Sequence, residues 1–256
     1  MPDKLIHKTA VVAPDADLDP SVEIGPHAVV ERQVSIGAGT VIGPHAVIRQ
    51  YSQLGRNNFV DAHAVIGGIP QHMSFAGDET RVVIGDDNVI REGVTIHRAF
   101  EKGGETRVGS NCMLMANAHV AHDCRVGDGV VLTNNVMLGG HVEVGRGAIF
   151  GGAAAAHQFA RVGSYCMVAA MVALRKDVLP FTMIGGEPVR HFRLNSVGLR
   201  RNGIKGDRYR ALEAAFRALR AGDNTLEGVA ETEDVLYLRE WLGAKSRFGH
   251  YGFASA

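Results

Sequence analysis

The chain has 256 residues, 46% of them hydrophobic, and its 27 lysine and arginine residues balance its 27 aspartate and glutamate residues. A neutral balance argues against nucleic acid as a partner, because surfaces that bind nucleic acid carry an excess of basic side chains. No apolar run is long enough to span a bilayer and no signal-peptide pattern opens the chain, so the sequence predicts a cytoplasmic protein without a transmembrane segment.

An aliphatic or other apolar residue stands at every sixth position from Val12 to Leu174, except at His72, Asp78 and Lys102. Helices repeat every 3.6 residues and simple strands every two, so neither explains this period. The position two before each apolar residue is nearly always small, and glycine often follows the apolar residue. Such a hexapeptide repeat is typical of a parallel β-helix, in which each short strand stacks on the strand one coil away.

Near-copies within the repeat give the length of one coil. The hexad Ile-Gly-Pro-His-Ala-Val occurs twice and a related Asp-Ala-His-Ala-Val follows, so that His27, His45 and His63 stand 18 residues apart. This spacing predicts three flat faces of six residues each. We interpret the three histidines as a stacked structural ladder rather than as catalytic groups.

The hexad register breaks twice, at residues 68–81 and at residues 98–106. An irregular insertion in a strict solenoid is either a tolerated bulge or part of a binding surface, and for the first loop we favour the binding surface. The register decays after Leu174. The sequence therefore predicts a β-helical domain over residues 1–188, carrying both loops, and a C-terminal helical domain over residues 189–256.

The C-terminal region has a different pattern from the repeat. Apolar residues at helical spacing predict a helix over residues 207–221, and residues 225–242 can form one or two more. We expect these helices to cover the open end of the coil, because an uncovered sheet end invites aggregation.

Titratable side chains concentrate in residues 117–124, within a part of the repeat that otherwise carries few of them. One 18-residue coil after His122 comes Gly140, and a second coil reaches Gln158. Stacked strands lie ~4.8 Å apart, so these three residues should fall within roughly 10 Å along one outward-facing edge. The neighbours of this edge are also polar: His119, Asp123, His141 and His157.

This combination of residues suits acyl transfer. An imidazole that titrates near neutral pH can act as a general base, and an exposed glycine N–H can stabilise a developing oxyanion. No serine or cysteine nucleophile is predicted beside His122, so direct attack by a substrate hydroxyl fits better than an acyl-enzyme.

Several longer motifs stand in order along the chain. They are Ile-Arg-Glu-Gly-Val-Thr-Ile-His-Arg at 90–98, Ala-His-Val-Ala-His-Asp-Cys at 118–124, Asn134-Asn135, Gly140-His141, His157-Gln158-Phe159 and Gly-Leu-Arg-Arg at 198–201. These motifs resemble those of the bacterial UDP-N-acetylglucosamine O-acyltransferases that start lipid A synthesis. The resemblance covers the whole chain in order, including the helical tail.

The resemblance implies a fold, an assembly and a reaction. The fold is a left-handed parallel β-helix, a rare exception to right-handed crossovers. The assembly is a homotrimer with active sites between neighbouring subunits. The reaction transfers an (R)-3-hydroxyacyl chain from acyl carrier protein to the 3-hydroxyl of the UDP-sugar substrate, with no cofactor and no metal.

The resemblance also implies residue roles. By position, His122 resembles the general base, Asp123 the group that orients it, and Gly140 the donor to the oxyanion. Asn195 and Arg201 resemble the residues that hold the nucleotide. The other positions that resemble substrate contacts are His119, His141, His157 and Gln158.

The chain departs from the family in its first loop and near the nucleotide end. His72 and Ser74 stand where the family usually carries aspartate and lysine, and Val197 and Asn202 stand where it carries glutamate and a second arginine. The loss of one lysine and one arginine removes two charge-assisted contacts, each worth about 1.5–3 kcal/mol. We keep His72 and Ser74 as substrate-binding positions. A variant acceptor stays open, for example the 3-amino analogue of the UDP-sugar, which would give an amide.

The acyl-chain groove also differs. Many family members have a Gly-Gly pair where this chain has Ala169, Ala170 and Met171. Extra side-chain volume from Ala170 and Met171 at the floor of the groove should shorten the accepted acyl chain.

Two other function classes compete with acyl transfer. Histidine-rich trimeric β-helices include γ-type carbonic anhydrases, which bind zinc through three histidines, but their ligand spacing is wider than that of His119 and His122. The three cysteines fall in the small inward position of the hexad and are predicted to be buried thiols rather than zinc ligands. A non-catalytic scaffold is the third possibility, and it predicts no loss of acyl transfer in His122→Ala.

Overall fold

The structure is a computed structural model that describes residues 5–254. Short strands form three flat sheets, and within the repeat each strand pairs in parallel with strands one coil before and after it. Val11 pairs with Val29, for example, 18 residues later. The predicted coil length is therefore confirmed, and the described chain is a parallel β-helix with three faces.

In the part of the chain that the structure describes, the first sheet has nine strands, the second eight and the third ten. The strands of the first sheet are β1 (Val11–Val12), β4 (Val29–Val30), β7 (Val47–Ile48), β10 (Val65–Gly68), β13 (Thr95–His97), β16 (His119–Val120), β19 (Met137–Leu138), β22 (Ala155–Ala156) and β25 (Ala173–Leu174). The strands of the second sheet are β2 (Asp17–Leu18), β5 (Ser35–Ile36), β8 (Ser52–Leu54), β11 (Arg81–Ile84), β14 (Glu105–Val108), β17 (Arg125–Val126), β20 (Glu143–Val144) and β23 (Arg161–Val162).

The last pairing of the third sheet is antiparallel. The strands of this sheet are β3 (Glu23–Ile24), β6 (Val41–Ile42), β9 (Phe59–Val60), β12 (Val89–Ile90), β15 (Met113–Leu114), β18 (Val131–Leu132), β21 (Ile149–Phe150), β24 (Met167–Val168), β26 (Thr182–Gly185) and β27 (Arg190–Leu194). Between residues 5 and 254 the helices are α1 (Ser196–Arg201), α2 (Asp207–Arg220) and α3 (Glu233–Gly243).

Two coils are longer than the others because they contain the loops. Leu54 pairs with Ile84, and Ile84 pairs with Val108, so the register is kept across each insertion. The first loop lies between β10 and β11, as predicted. The second begins after β13 but ends sooner than predicted, because β14 already starts at Glu105.

The periodic apolar residue of each hexad points into the coil and builds the core. Ile42, Ile66 and Leu132 are fully buried, and the small residues two before them fill the space between faces. The predicted histidine ladder is also present: ring centroids of His27 and His45 lie 5.0 Å apart, and those of His45 and His63 lie 5.1 Å apart. The cysteines are buried and free, as predicted: Cys112, Cys124 and Cys166.

Truncation of a core leucine should destabilise the β-helix. Leu132 is 0% exposed, so Leu132→Ala removes buried methyl groups, leaves a cavity and should cost about 2–5 kcal/mol of unfolding free energy. Urea denaturation measures the difference. The matched control is Leu236→Ala on α3, where the side chain is 50% exposed and the same change should cost about 1 kcal/mol or less. Equal losses in the two variants would contradict the assignment of Leu132 to the core.

The C-terminal helices pack on the end of the coil. Leu212, Leu219 and Leu238 form a second core with Leu179 and Phe181 of the last coil. The helix predicted over 207–221 is confirmed as α2. Between residues 225 and 242 only α3 forms in the described chain, and it begins at Glu233.

Two elements were not predicted from the sequence. The six-residue helix α1 follows directly on the hairpin of β26 and β27. In this hairpin Thr182 pairs with Leu194, so the third sheet continues past residue 188, where we expected the β-helical domain to end. The division into two domains at that residue stays a prediction. No helix within residues 5–254 combines the length and the apolar character that a membrane span needs.

Candidate active site

Three successive coils bring His122, Gly140 and Gln158 to the same edge of the prism. Each follows a strand of the first sheet, in β16, β19 and β22. The backbone bonds that join these turns are His141 N–H to the carbonyl of His122 at 3.0 Å and Phe159 N–H to the carbonyl of Gly140 at 2.9 Å. The alignment predicted from the 18-residue coil is therefore confirmed.

Gly140 leaves room for the His122 ring. A Cβ atom at residue 140 would lie 2.6 Å from Cε1 of His122 and 2.8 Å from its Nε2, which is closer than real Cβ contacts. Within residues 5–254 the N–H of Gly140 donates to no backbone or side-chain acceptor, and the residue lines a cleft beside His122. This N–H is therefore available to a bound substrate next to the imidazole.

His122 is more enclosed than the sequence indicated. We expected an outward-facing imidazole, and the ring does lie outside the coil, but the residue is only 9% exposed. The two loops cover it. Ring centroids of His72 from the first loop and Phe100 from the second lie 5.8 Å and 6.0 Å from that of His122, and His141 lies 5.3 Å away. The outward-facing position is therefore confirmed, and the low exposure arises because segments without the hexad period fold over the edge.

Asp123 holds His122 in one orientation. The Nδ1 atom of His122 lies 2.7 Å from Oδ2 of Asp123, and Asp123 in turn accepts the N–H groups of Phe100 at 2.9 Å and Glu101 at 3.3 Å. Its own N–H donates to Oγ1 of Thr106. A carboxylate at Nδ1 fixes the neutral ring with its proton on that nitrogen, so Nε2 is left as the proton acceptor.

His141 lies on the next coil of the same edge. Its Nε2 is 3.8 Å from Oδ2 of Asp123, and its ring stacks on Phe159 with centroids 4.5 Å apart and planes 9° apart. Burial lowers the pKa of His141, while the Asp123 carboxylate partly opposes this effect. A lowered pKa keeps the imidazole neutral and able both to donate and to accept a hydrogen bond near pH 7.

His119 forms a second polar pair on the outer face of the first sheet. Its Nδ1 is 2.8 Å from Oγ1 of Thr95 on the preceding coil, and burial lowers its pKa. His97 packs edge-on against it at 5.0 Å, and burial lowers the pKa of His97 to about 4. Both rings are therefore neutral at pH 7.

A cleft with a volume of about 740 Å³ runs along this face. Of the predicted site residues it contains His119, His122, Gly140, His157 and Gln158. It also contains polar residues that the sequence analysis did not single out: Gln71, Thr95 and Asn117. Thr95 lies one coil before His119 and pairs with it in β13 and β16. It could have been found from the sequence by counting back one coil, including the second loop.

The first-loop candidates lie at the edge of the site. The His72 ring packs against Phe100 with centroids 3.9 Å apart and planes tilted by 31°, and its Nδ1 accepts the N–H of Ser74 at 3.3 Å. Both His72 and Ser74 are exposed. The first loop therefore forms part of the wall around His122, and its role in binding stays a prediction.

The remaining candidates lie outside the cleft of the single chain. Asn195 caps α1: its side chain accepts the N–H of Gly198 at 3.1 Å and donates to the carbonyl of Tyr165 at 2.9 Å. Arg201 is exposed at the end of α1. Met171 is 84% exposed, and Ala170 is exposed beside it on the corner before β25, a different edge from that of His122. Their roles stay predictions.

One group of described residues approaches metal-ligand geometry. Ligand atoms of His122, Asp123 and His141 all lie within 4.8 Å of one another. Two imidazoles and a carboxylate differ from the three histidines that the zinc hypothesis required. The 2.7 Å contact between His122 and Asp123 and the two backbone N–H donors to Asp123 fit a base with its orienting carboxylate.

Comparison with known proteins agrees with this geometry. A family model described as Udp N-acetylglucosamine O-acyltransferase, domain 2, matches residues 177–248, and the model of the bacterial transferase hexapeptide matches residues 18–50 and 105–140. A protein of Alkalilimnicola ehrlichii is 46% identical over 251 residues, which cover 94% of this chain and 97% of the relative. A protein of Thiobacillus denitrificans is 45% identical over 222 residues, 86% of each chain. Both are named acyl-[acyl-carrier-protein]–UDP-N-acetylglucosamine O-acyltransferase.

Solved structures give the same result. The UDP-N-acetylglucosamine O-acyltransferase of Moraxella catarrhalis is 37% identical and superposes with a TM-score of 0.91, covering 96% of this chain and 99% of its own. The UDP-N-acetylglucosamine acyltransferase of Campylobacter jejuni is 35% identical with a TM-score of 0.88, covering 97% and 100%. The left-handed parallel β-helix that the resemblance implied is thereby confirmed. The chain belongs to the family of UDP-N-acetylglucosamine O-acyltransferases.

Proposed function

We propose that this protein transfers an (R)-3-hydroxyacyl chain from acyl carrier protein to the 3-hydroxyl of UDP-N-acetylglucosamine, the first step of lipid A biosynthesis. The observation that carries the proposal is the pairing of an oriented imidazole, His122, with the uncommitted N–H of Gly140 one coil away. The names of the relatives support the donor and the acceptor. These names favour UDP-N-acetylglucosamine over its 3-amino analogue as the acceptor. They also favour acyl transfer over a zinc-dependent reaction.

The geometry supports a direct transfer without an acyl-enzyme. Nε2 of His122 removes the proton of the sugar hydroxyl while its oxygen attacks the thioester carbonyl. The N–H of Gly140 donates to the oxyanion of the tetrahedral intermediate, where a preorganised donor is most effective. Collapse of the intermediate expels the thiolate, and the proton on His122 passes to the sulfur. Asp123 keeps its negative charge beside Nδ1 and stabilises the imidazolium between these steps.

The remaining candidates have proposed roles around this centre. His119, His141, His157 and Gln158 contact the substrates, and His72 and Ser74 contact the acceptor from the first loop. Asn195 and Arg201 hold the nucleotide, and Ala170 and Met171 limit the acyl groove. The proposal includes no cofactor and no metal, and it places the enzyme in the cytoplasm.

We propose a homotrimer as the working form. Exposed apolar side chains lie on the outer faces of two sheets: Val11 at 63% and Met137 at 51% on the first, and Phe59 at 41% on the third. Packing of the first sheet of one copy on the third sheet of the next would cover them and would close the cleft from the other side. A second copy could then bring Asn195 and Arg201 to the cleft.

The acceptor is tested by the products formed from a panel of UDP-sugars with 3-hydroxyacyl carrier protein. Mass spectrometry should detect an O-acylated ester of UDP-N-acetylglucosamine, with higher kcat/KM for this acceptor than for its 3-amino analogue. Restoration of the two first-loop residues, His72→Asp with Ser74→Lys, should raise kcat/KM for UDP-N-acetylglucosamine, because a charge-assisted contact returns. An amide as the preferred product would contradict the proposed acceptor.

A further inference from the structure

The chain after α3 returns to the β-helix and is anchored on its last coil. The backbone of His250 forms an isolated parallel β-bridge with that of Asp177, and the backbone of Phe253 forms another with that of His191. Asp177 and His191 are both fully buried. The hydroxyl of Tyr251 accepts the N–H of Arg175 at 2.6 Å. These contacts fix the C-terminal segment against the end of the coil. They also place Arg247 and Phe248, which precede this segment, at the edge of the active site.

Arg247 and Phe248 contact residues of that edge directly. The guanidinium carbon of Arg247 lies 4.0 Å from the centroid of the Phe159 ring. Phe248 packs edge-on against the ring of His157, with centroids 5.6 Å apart. The tail therefore touches both neighbours of Gln158.

The contact of Arg247 extends the column of stacked side chains along the edge. Phe159 stacks on His141 at 4.5 Å, and the guanidinium carbon of Arg247 lies 4.0 Å from the Phe159 centroid. The regular repeat does not supply this third layer, because Asp177, 18 residues after Phe159, is fully buried and accepts the N–H of Arg161 at 2.9 Å. An exposed arginine from the tail takes the next place in the column instead.

Stacking is what fixes the His141 ring. Among residues 5–254 the imidazole makes no side-chain hydrogen bond, and its Nε2 lies 3.8 Å from Oδ2 of Asp123, beyond hydrogen-bond distance. A cation over the face of Phe159 is attracted by the ring quadrupole, so it holds that ring flat against His141. Movement of Phe159 would release His141 from its edge-on contact with His122.

We propose that Arg247 is a positioning residue of the active site, which caps the stack of Phe159 on His141 and so fixes His141 beside the pair of His122 and Asp123. This role rests on the proposed acyl transfer, for which His141 contacts the substrate. It assigns a function to a segment that sequence patterning did not connect with the site.

The test compares Arg247→Ala and Arg247→Lys in the full-length enzyme. Arg247→Ala should lower kcat for acyl transfer by about two- to fivefold, the loss expected for an exposed cation–π contact, with KM for acyl carrier protein unchanged. Arg247→Lys keeps a cation over the ring and should recover most of the loss. Lys245→Ala is the matched control, because it removes an exposed positive charge from the same segment and should leave kcat and KM unchanged.

A spectroscopic measurement separates this inference from the proposed function. In protein labelled with ¹³C in its histidine rings, the His141 signal is shielded by the Phe159 face, and in Arg247→Ala it should move downfield while the signals of the ladder histidines stay in place. An unmoved His141 signal, an unchanged kcat in Arg247→Ala, or an equal loss in Lys245→Ala would overturn the positioning role. A wild-type enzyme without acyl transfer would instead contradict the proposed function.

Discussion

Replacement of His122 by alanine should lower kcat by about 10²–10⁴-fold with 3-hydroxyacyl carrier protein and UDP-N-acetylglucosamine, the range that a general base contributes. The ring is the group whose Nε2 stands free beside Gly140, and the described residues around it offer no other base oriented by a carboxylate at hydrogen-bond distance. Steady-state kinetics with both substrates at saturation measures the change. KM should change little, because proton removal is realised in the transition state rather than in substrate binding.

The fold should survive this substitution. His122 lies outside the coil, and its side chain does not contribute to the apolar core, so the melting temperature of His122→Ala should stay within a few degrees of wild type. His63→Ala is the matched control. It removes a histidine from the ladder on another edge and should retain full activity. Activity of His122→Ala within about threefold of wild type would contradict the role of the base and would favour the scaffold hypothesis.

Replacement of Gly140 by alanine should have the second largest effect, a loss of about 10²-fold or more in kcat, comparable to the loss of an oxyanion donor. The added Cβ would lie 2.6 Å from Cε1 of His122, so the imidazole has to move. It is held by Asp123 and covered by Phe100 and His72, so the ring can move away from the new methyl group only by losing its contact with Asp123. Both the base and the approach to the glycine N–H are disturbed by one methyl group.

Gly152→Ala provides the control for this substitution. Gly152 also lies at a corner of the β-helix, but a Cβ there would meet no atom closer than 3.7 Å. The control should keep its activity and its stability. A crystal structure of Gly140→Ala should show the His122 ring displaced from Asp123. Full activity in Gly140→Ala, or an equal loss in Gly152→Ala, would refute the argument from close approach.

Much of the fold and the centre of the site could be predicted because the hexad is a local rule that repeats. Each apolar sixth residue fills the same inward place, so the sequence spacing of His122, Gly140 and Gln158 translates directly into height along one edge. The same reasoning gave the histidine ladder and the buried thiols. The prediction of Asp123 as the orienting group depended instead on the family resemblance.

The enclosure of the site could not be predicted from that rule. The loops around residues 72 and 100 have no period, and their path over His122 follows from long-range contacts such as the packing of His72 against Phe100. The hairpin of β26 and β27 and the short helix α1 were missed for the same reason. Their few residues carry no repeat from which a register can be counted.

The sequence by itself determined the coil, its three faces and the edge on which His122 stands, since these depend only on the spacing of side chains along a regular backbone. The tertiary structure alone decided which residues enclose that edge. Phe100 and His72 cover His122, and Arg247 reaches Phe159 from the far end of the chain. Such contacts join segments far apart in sequence, and their geometry is set by how irregular loops pack on the finished prism rather than by any local pattern.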